Sequence, residues 1–247
     1  TSALLELEGG RSIEASLVVG ADGAQSWVRD AAGIDSHVRP YGQQGVVANF
    51  ETERGHDAIA RQWFRPDGVL ALLPLPGNRV SMVWSTWNDA ADRLLSMPGD
   101  DLEREVETAS RHALGALRLI TSPRGFPLRL LRVSALVRPR VALIGDAAHN
   151  VHPLAGQGVN LGFQDACELA GVLRGRGAQD DCGDYRLLRR YARARSEPVA
   201  LMQAATDGLQ RLFNNPSFGL KWLRNTGLRF TNGIVPLKSF LVEHALG

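Results

Sequence analysis

GDAAHNVHPLAGQGVN, residues 145–160, follows directly on the apolar run Val141-Ala142-Leu143-Ile144. Four apolar residues closed by a Gly-Asp turn have the length of a buried strand rather than of a helix. Pro153, Gly156 and Gly158 come next, and from about Val159 to Leu173 the chain reads as a helix. Strand, glycine-bearing turn and helix in that order specify an α/β unit, whose ligand is expected outside the carboxyl end of the strand. Glycines at a helix entrance let a flat ligand approach the backbone with no Cβ in the way. The same entrance presents unpaired N–H groups and the positive end of the helix dipole, so a group that becomes electron-rich is expected there.

A second turn of the same kind lies far upstream. Leu17-Val18-Val19 is a buried run followed by Gly20-Ala21-Asp22-Gly23, with Ser26-Trp27-Val28-Arg29 on a short helix. Ahead of it, Leu4–Glu8 alternates apolar and polar residues, Gly9-Gly10 signals a two-residue turn, and Ser12–Val19 reads as the returning strand of a hairpin. Two Gly-Asp turns at strand ends are expected to meet around one ligand.

Between them the pattern is strand-rich, with Val46–Phe50, Arg61–Phe64, Val69–Leu73 and Arg79–Trp87 separated by Gly, Pro and Asn signals. This predicts an antiparallel sheet. Val80, Met82 and Trp84 share one face by the two-residue period, either as core or as the lining of an apolar pocket. Pro98-Gly99-Asp100 predicts the start of a helix running to about Leu117, with Leu102, Val106, Ala109 and Ala113 on its stripe. Phe126–Val133 predicts another strand.

From Tyr185 to Met202 a helix carries Arg186, Arg189, Arg190, Arg193 and Arg195, read as a solvated face. Residues 200–247 hold five basic residues against two acids, interleaved with Leu212, Phe213, Phe218, Trp222, Leu223 and Phe230. That pattern suits a helix lying on an anionic membrane surface, and equally one packed on the rest of the protein.

Composition narrows the function. A 44% hydrophobic content supports a sizeable core, and a net charge of +2 over 247 residues argues against an electrostatic nucleic-acid binder. Cys167 and Cys182 lack paired or metal-ligand spacing and read as free thiols of a reducing, cytoplasmic compartment. No apolar run reaches the roughly 18 residues a spanning helix needs. His149 and His152 stand three apart, but no carboxylate or thiol completes a metal site on the same element, so no metal is expected. No Ser-His-Asp or Cys-His set appears either.

With both turns in view, the chain resembles the class A flavoprotein monooxygenases of the p-hydroxybenzoate hydroxylase fold. Gly20-Ala21-Asp22-Gly23 with Ser26 and Arg29 resembles that family's DG motif, which contacts FAD and is implicated in NAD(P)H use. Gly145-Asp146-Ala147-Ala148-His149, with Pro153, Gly156, Gly158 and Asn160, resembles its second FAD motif. The string HPLAGQGVNLGFQDA (152–166), Leu73-Pro74-Leu75, Trp84, Phe126-Pro127-Leu128 and the terminal His244-Ala245-Leu246-Gly247 are most similar to the ubiquinone-biosynthesis hydroxylases. The family's opening GxGxxG, which cradles the FAD pyrophosphate on a helix N-terminus, has no counterpart. Gly175-Arg176-Gly177 follows a helix instead of a strand. The chain is therefore expected to be the C-terminal portion of such an enzyme.

The resemblance implies an α/β fold: a truncated, Rossmann-like FAD-binding domain split between 1–40 and 136–180, an antiparallel-sheet substrate domain at 41–135, and C-terminal helices at 181–247. It implies FAD as cofactor, with NAD(P)H as reductant, held by Asp22, Gly23, Arg29, Gly145, Asp146, Pro153, Gly156, Gly158, Val159 and Asn160. Asp146 would accept hydrogen bonds from ribityl hydroxyls, and the N–H groups near Val159 and Asn160 would face N1 and C2=O of the flavin. The flavin is the reactive group, so no side chain is singled out as catalytic. Gly162, Ala166 and Ala170, four apart, would let the helix after the turn pack closely on its neighbours. The implied reaction uses NAD(P)H and O2 to place one oxygen atom on a hydrophobic, polyprenylated phenolic ring, with the C-terminal helices on a membrane surface or in a multi-enzyme complex. Two other expectations are a flavin enzyme of a small soluble aromatic compound and a noncatalytic accessory homologue.

Overall fold

The computed structural model describes residues 2–151 and 158–214. Two compact units make up the chain, residues 1–39 with 130–247 and residues 40–129.

The first unit is built on a three-stranded sheet. β3 (Val18–Gly20) pairs in parallel with β11 (Val141–Leu143), Gly20 opposite Leu143, and β10 (Val137–Arg138) adds antiparallel on the far side of β11. Both faces of β11 are covered, which is why its sequence is continuously apolar. Ala142 packs with Leu169 and Val172 of α4 (Gly158–Arg174) and with Leu187, Leu188 and Tyr191 of α5 (Tyr185–Asn214). Leu143 packs with Ile34, and Val28 of α1 (Trp27–Ala31) lies against the same cluster. The buried Tyr191 hydroxyl donates to the Leu143 carbonyl at 2.7 Å.

The hairpin of this unit is shorter than expected. β1 (Ala3–Glu6) pairs with β2 (Ser12–Ala15), and Gly9 and Gly10 both take positive φ in a five-residue connection, Leu7–Arg11, rather than a two-residue turn. The returning strand stops at Ala15, and β3 belongs to the other sheet. The break is held from outside: Arg140 Nη1 donates to the Ser16 carbonyl at 2.7 Å, and Val18 N–H donates to the Arg140 carbonyl at 2.9 Å. The chain thus leaves the hairpin in order to pair in parallel with β11.

The second unit is an antiparallel sheet in the order β9-β4-β7-β6-β5, with β8 on the end of β4. Its strands are β4 (Ser36–Thr52), β5 (Arg61–Arg65), β6 (Gly68–Leu75), β7 (Arg79–Trp87), β8 (Leu117–Leu119) and β9 (Arg124–Val133). β4 and β9 begin or end in the first unit, where β12 (His149–Asn150) pairs with Arg132 and Leu131. Val80, Met82 and Trp84 are buried, and Phe50, Ala48 and Val46 stand opposite them in register. Ala91 and Leu94 of α2 (Asn88–Ser96) and Leu102, Val106 and Ala109 of α3 (Gly99–Ala109) share that core. The face of β7 is therefore core packing, not the lining of an apolar pocket.

The predicted helix from Gly99 ends well before Leu117. Ser110 caps it, Arg111 and His112 take positive φ, and Ala113 is exposed. The chain turns back so that β8 reaches the edge of β4. Two carboxylates of α3 supply acceptors on the other side, Glu107 for Leu117 N–H and Glu103 for Leu119 N–H, each at 2.7 Å. A helix continued to Leu117 would give up the pairing of β8 with the edge of β4.

Candidate functional site

β3 and β11 are adjacent and parallel, so both Gly-Asp turns leave the sheet at the same end. The last ladder bond runs from Ile144 N–H to the Gly20 carbonyl at 3.0 Å, immediately before the second turn opens. Gly145 then takes φ +59 and starts a 3-10 turn through Ala147. This is the conformation glycine supplies without strain.

Asp22, in the first turn, has a local task. Its carboxylate accepts from the Ser26 hydroxyl at 2.5 Å and from Val28 N–H at 3.1 Å, and Ser26 in turn accepts from Arg29 N–H at 3.0 Å. Burial pushes the Asp22 carboxyl upward, but these hydrogen bonds outweigh it and hold the group below its ordinary value. Asp22 and Ser26 thus fix the start of α1, the usual use of such residues at a helix N-terminus. Gly23 has φ +84 and open space where a Cβ would stand.

Arg29 ties the two turns together. It is buried, and Nη1 donates to the Ala24 carbonyl at 3.2 Å and to the Ala147 carbonyl at 3.3 Å, one oxygen from each turn. Nε pairs with Asp30 at 3.2 Å. Both bonds come from one guanidinium nitrogen, whose two N–H groups supply one donor to each carbonyl.

Asp146 is exposed, and its carboxylate forms no hydrogen bond or ion pair with the described residues. α4 opens at Gly158, with Val159 and Asn160 exposed in its first turn and nothing within 4 Å of where a Cβ on Gly158 would stand. Pro153 and Gly156 lie outside the described residues, as does His152. α4 passes close beneath the second turn: a Cβ on Gly162 would stand 3.3 Å from Gly145 Cα.

A buried ionic cluster under this turn escaped the sequence reading. Asp165, in the middle of α4 and wholly buried, accepts from Gly145 N–H at 2.9 Å and from His149 Nε2 at 2.7 Å through one oxygen, and from Arg195 Nε at 2.7 Å through the other. An ionised carboxylate only accepts, so His149 carries its hydrogen on Nε2. Burial would raise the Asp165 carboxyl, but the hydrogen bond and charge of His149, the Gly145 N–H and Arg195 together hold it below its ordinary value. Arg195 is therefore not part of the solvated face; Arg186, Arg189, Arg190 and Arg193 are exposed. The signal was present in the periodicity. Asp165 falls on the buried stripe Leu161, Leu169, Val172, and Arg195 on the stripe Leu188, Tyr191, Val199, opposite charges where two helices should both be apolar.

Residues 1–205 match the protein family described as FAD binding domain. The chain belongs to that family. Over 242 residues this chain is 38% identical to the ubiquinone hydroxylase UbiL of Rhodospirillum rubrum, covering 98% of the chain and 56% of that protein. It is 37% identical over 244 residues to the 3-demethoxyubiquinol 3-hydroxylase of Escherichia coli, covering 98% and 62%. Among solved structures, PqsL, a probable FAD-dependent monooxygenase from Pseudomonas aeruginosa, superposes with a TM-score of 0.70 at 28% identity, covering 86% of this chain and 60% of that one. The chain thus spans little more than half the length of the curated relatives it matches.

The residues present suit part of an FAD. Asp146 offers a carboxylate with lone pairs unused by the described residues, next to Gly145, which has no Cβ, and the first turn of α4 offers N–H donors at the positive end of a 17-residue helix. Among the described residues no cluster of His, Cys, Asp and Glu could hold a metal ion, and Cys167 and Cys182 are not disulfide-bonded.

Proposed function

We propose that the protein carrying this chain is a FAD-dependent monooxygenase that hydroxylates a polyprenylated phenolic ring in ubiquinone biosynthesis, using NAD(P)H and O2. The observation that carries the reading is the pair of Gly-Asp turns at the ends of adjacent parallel strands, joined through Arg29. The names of the two curated relatives support the pathway. When bound, the flavin supplies the redox chemistry: reduced by NAD(P)H, it activates O2 for transfer of one oxygen atom to an electron-rich ring.

In this reading Asp146 accepts hydrogen bonds from the ribityl hydroxyls, with Gly145 giving its backbone room. N–H groups at Gly158, Val159 and Asn160 would donate to the flavin ring and stabilise negative charge on it. A helix terminus contributes about 0.3–1 kcal/mol when exposed and up to about 2 when partly buried, so directed donors must supply the rest. Asp22 and Gly23 present the first turn to the cofactor, and Arg29 keeps the two turns in register. Pro153 and Gly156, outside the described residues, would complete the set that holds FAD. The segments 1–40 and 136–180 form the FAD-binding part, 41–135 the substrate domain and 181–247 the C-terminal part, of which α5 is described.

No helix among the described residues is long and apolar enough to cross a membrane. The exposed arginines of α5 and the basic, apolar-rich 215–247 segment favour peripheral association with an anionic membrane, where a polyprenylated substrate resides. A small soluble aromatic substrate is the second reading, favoured by PqsL in complex with 2-aminobenzoylacetate. The deciding experiment supplies the intact protein with NAD(P)H, 18O2 and, separately, a polyprenylated phenol and its tail-less analogue. The proposal expects 18O in the ring of the former. Labelling only of the tail-less compound supports the second reading, and NAD(P)H oxidation without labelled product overturns both.

A further inference from the structure

We infer that Asp165 is the positioning residue of the cofactor-facing turn, stapling both ends of the segment that carries Asp146; the inference rests on the flavin reading above. Gly145 opens that segment and His149 closes it, and one carboxylate oxygen of Asp165 receives the N–H of the first and Nε2 of the second. The strand ladder ends at Ile144, so Gly145 N–H is the first donor of the turn without a strand partner, and Asp165 supplies its acceptor. An unmade bond at a donor partly withdrawn from water is costly, and here it falls on the residue whose φ of +59 sets the direction of the turn.

The staple is itself anchored. Arg195 Nε neutralises the other oxygen of Asp165, while its Nη2 donates to the Leu161 carbonyl at 3.4 Å and to Gln164 Oε1 at 3.3 Å, which pins the guanidinium along α4. All three partners of Asp165 are donors, so an acceptor-only group is required: an amide of the same shape would press an NH2 against one of them. A buried ion pair adds little net stability over apolar residues of similar volume, and breaking one is what costs. A charged Asp165 in the core is explained by the geometry it imposes on residues 145–149.

The test compares Asp165→Asn, His149→Gln and His149→Ala in the full chain by amide hydrogen exchange and by FAD titration followed through flavin fluorescence. In Asp165→Asn, Gly145 N–H is expected to exchange about 10- to 100-fold faster, the loss of one hydrogen bond to a charged group, with the β4–β7 ladder unchanged. The FAD dissociation constant rises by about the same factor. His149→Gln retains a donor near the position of Nε2 and stays within about threefold of wild type, whereas His149→Ala follows Asp165→Asn. A role in packing alone would move both His149 variants together and leave the affinity of the folded protein unchanged. Unaltered Gly145 exchange in Asp165→Asn, or unaltered FAD affinity with faster exchange, overturns the proposal. If Asp165→Asn does not fold, the contrast between the His149 variants decides it. A wild-type chain that binds no FAD overturns the flavin reading and the link to it, while Gly145 exchange still tests the staple.

Discussion

Two glycines of α4 are predicted to respond to the same substitution with opposite signs. Gly171 has nothing within 4 Å of where a Cβ would stand, so Gly171→Ala gains the helix-propensity difference alone, about 0.5–1 kcal/mol of stability. At Gly162 the new methyl would lie 3.3 Å from Gly145 Cα and 4.0 Å from Gly145 N. That neighbour is backbone, held by the Ile144 ladder bond on one side and by Asp165 on the other, and cannot rotate away as a side chain would. Forcing a methyl into such a contact costs about 1–3 kcal/mol, which exceeds the propensity gain and leaves Gly162→Ala about 1 kcal/mol less stable than wild type. Gly162→Val adds two further carbons and lacks alanine's helix preference, for a loss of about 3 kcal/mol. Urea denaturation, with amide exchange in α4 as the local probe, measures both. A Gly162→Ala protein as stable as Gly171→Ala would refute the close approach of α4 to the second turn.

Other outcomes follow from single contacts. Arg29→Met removes the donors to the Ala24 and Ala147 carbonyls and is expected to lower the stability of the first unit by about 1–3 kcal/mol in a thermal melt. Gly68→Ala would place its Cβ 1.9 Å from the Ser85 carbonyl oxygen at a φ of +148, so the β6–β7 ladder should lose amide protection, with no such loss in α4. Asp165 and Asp22 both titrate below their unfolded value in the native state. Their stabilisation is complete above the ordinary Asp value of 3.8 and is lost as pH falls through the lower folded values. The first unit should therefore keep its stability from neutrality to about pH 4 and lose it below, read as a fall in urea midpoint across that window.

Where local chemistry and tertiary demand agree, the elements were legible in the sequence. β7 was bounded at Arg79 and Trp87 by a turn signal and the two-residue period of Val80, Met82 and Trp84, and β11, the Gly-Asp turn and α4 followed from an apolar run, glycines and a helical stripe. α2 was not legible: it follows β7 with no Gly or Pro between, its N-terminus has no capping side chain, and only Ala91 and Leu94 of its nine residues are buried. The end of α3 was misread because Leu114 and Leu117 continue its apolar tally while serving a turn and a strand. At the site, glycine and aspartate spacing located the two turns, but what holds them is long-range. Arg29 reaches across more than a hundred residues to Ala147, and Asp165 joins Arg195 on another helix. Only the misplaced charges on two apolar stripes announce such partners.

The claim that both Gly-Asp turns form one edge of a flavin site is tested most directly by adding FAD to the 15N-labelled chain and mapping amide shifts. The account predicts perturbations at Gly23, at Gly145–Ala147 and at Val159 and Asn160, with the β5–β6–β7 ladder undisturbed. Shifts confined to that ladder, or to one turn without the other, would contradict it.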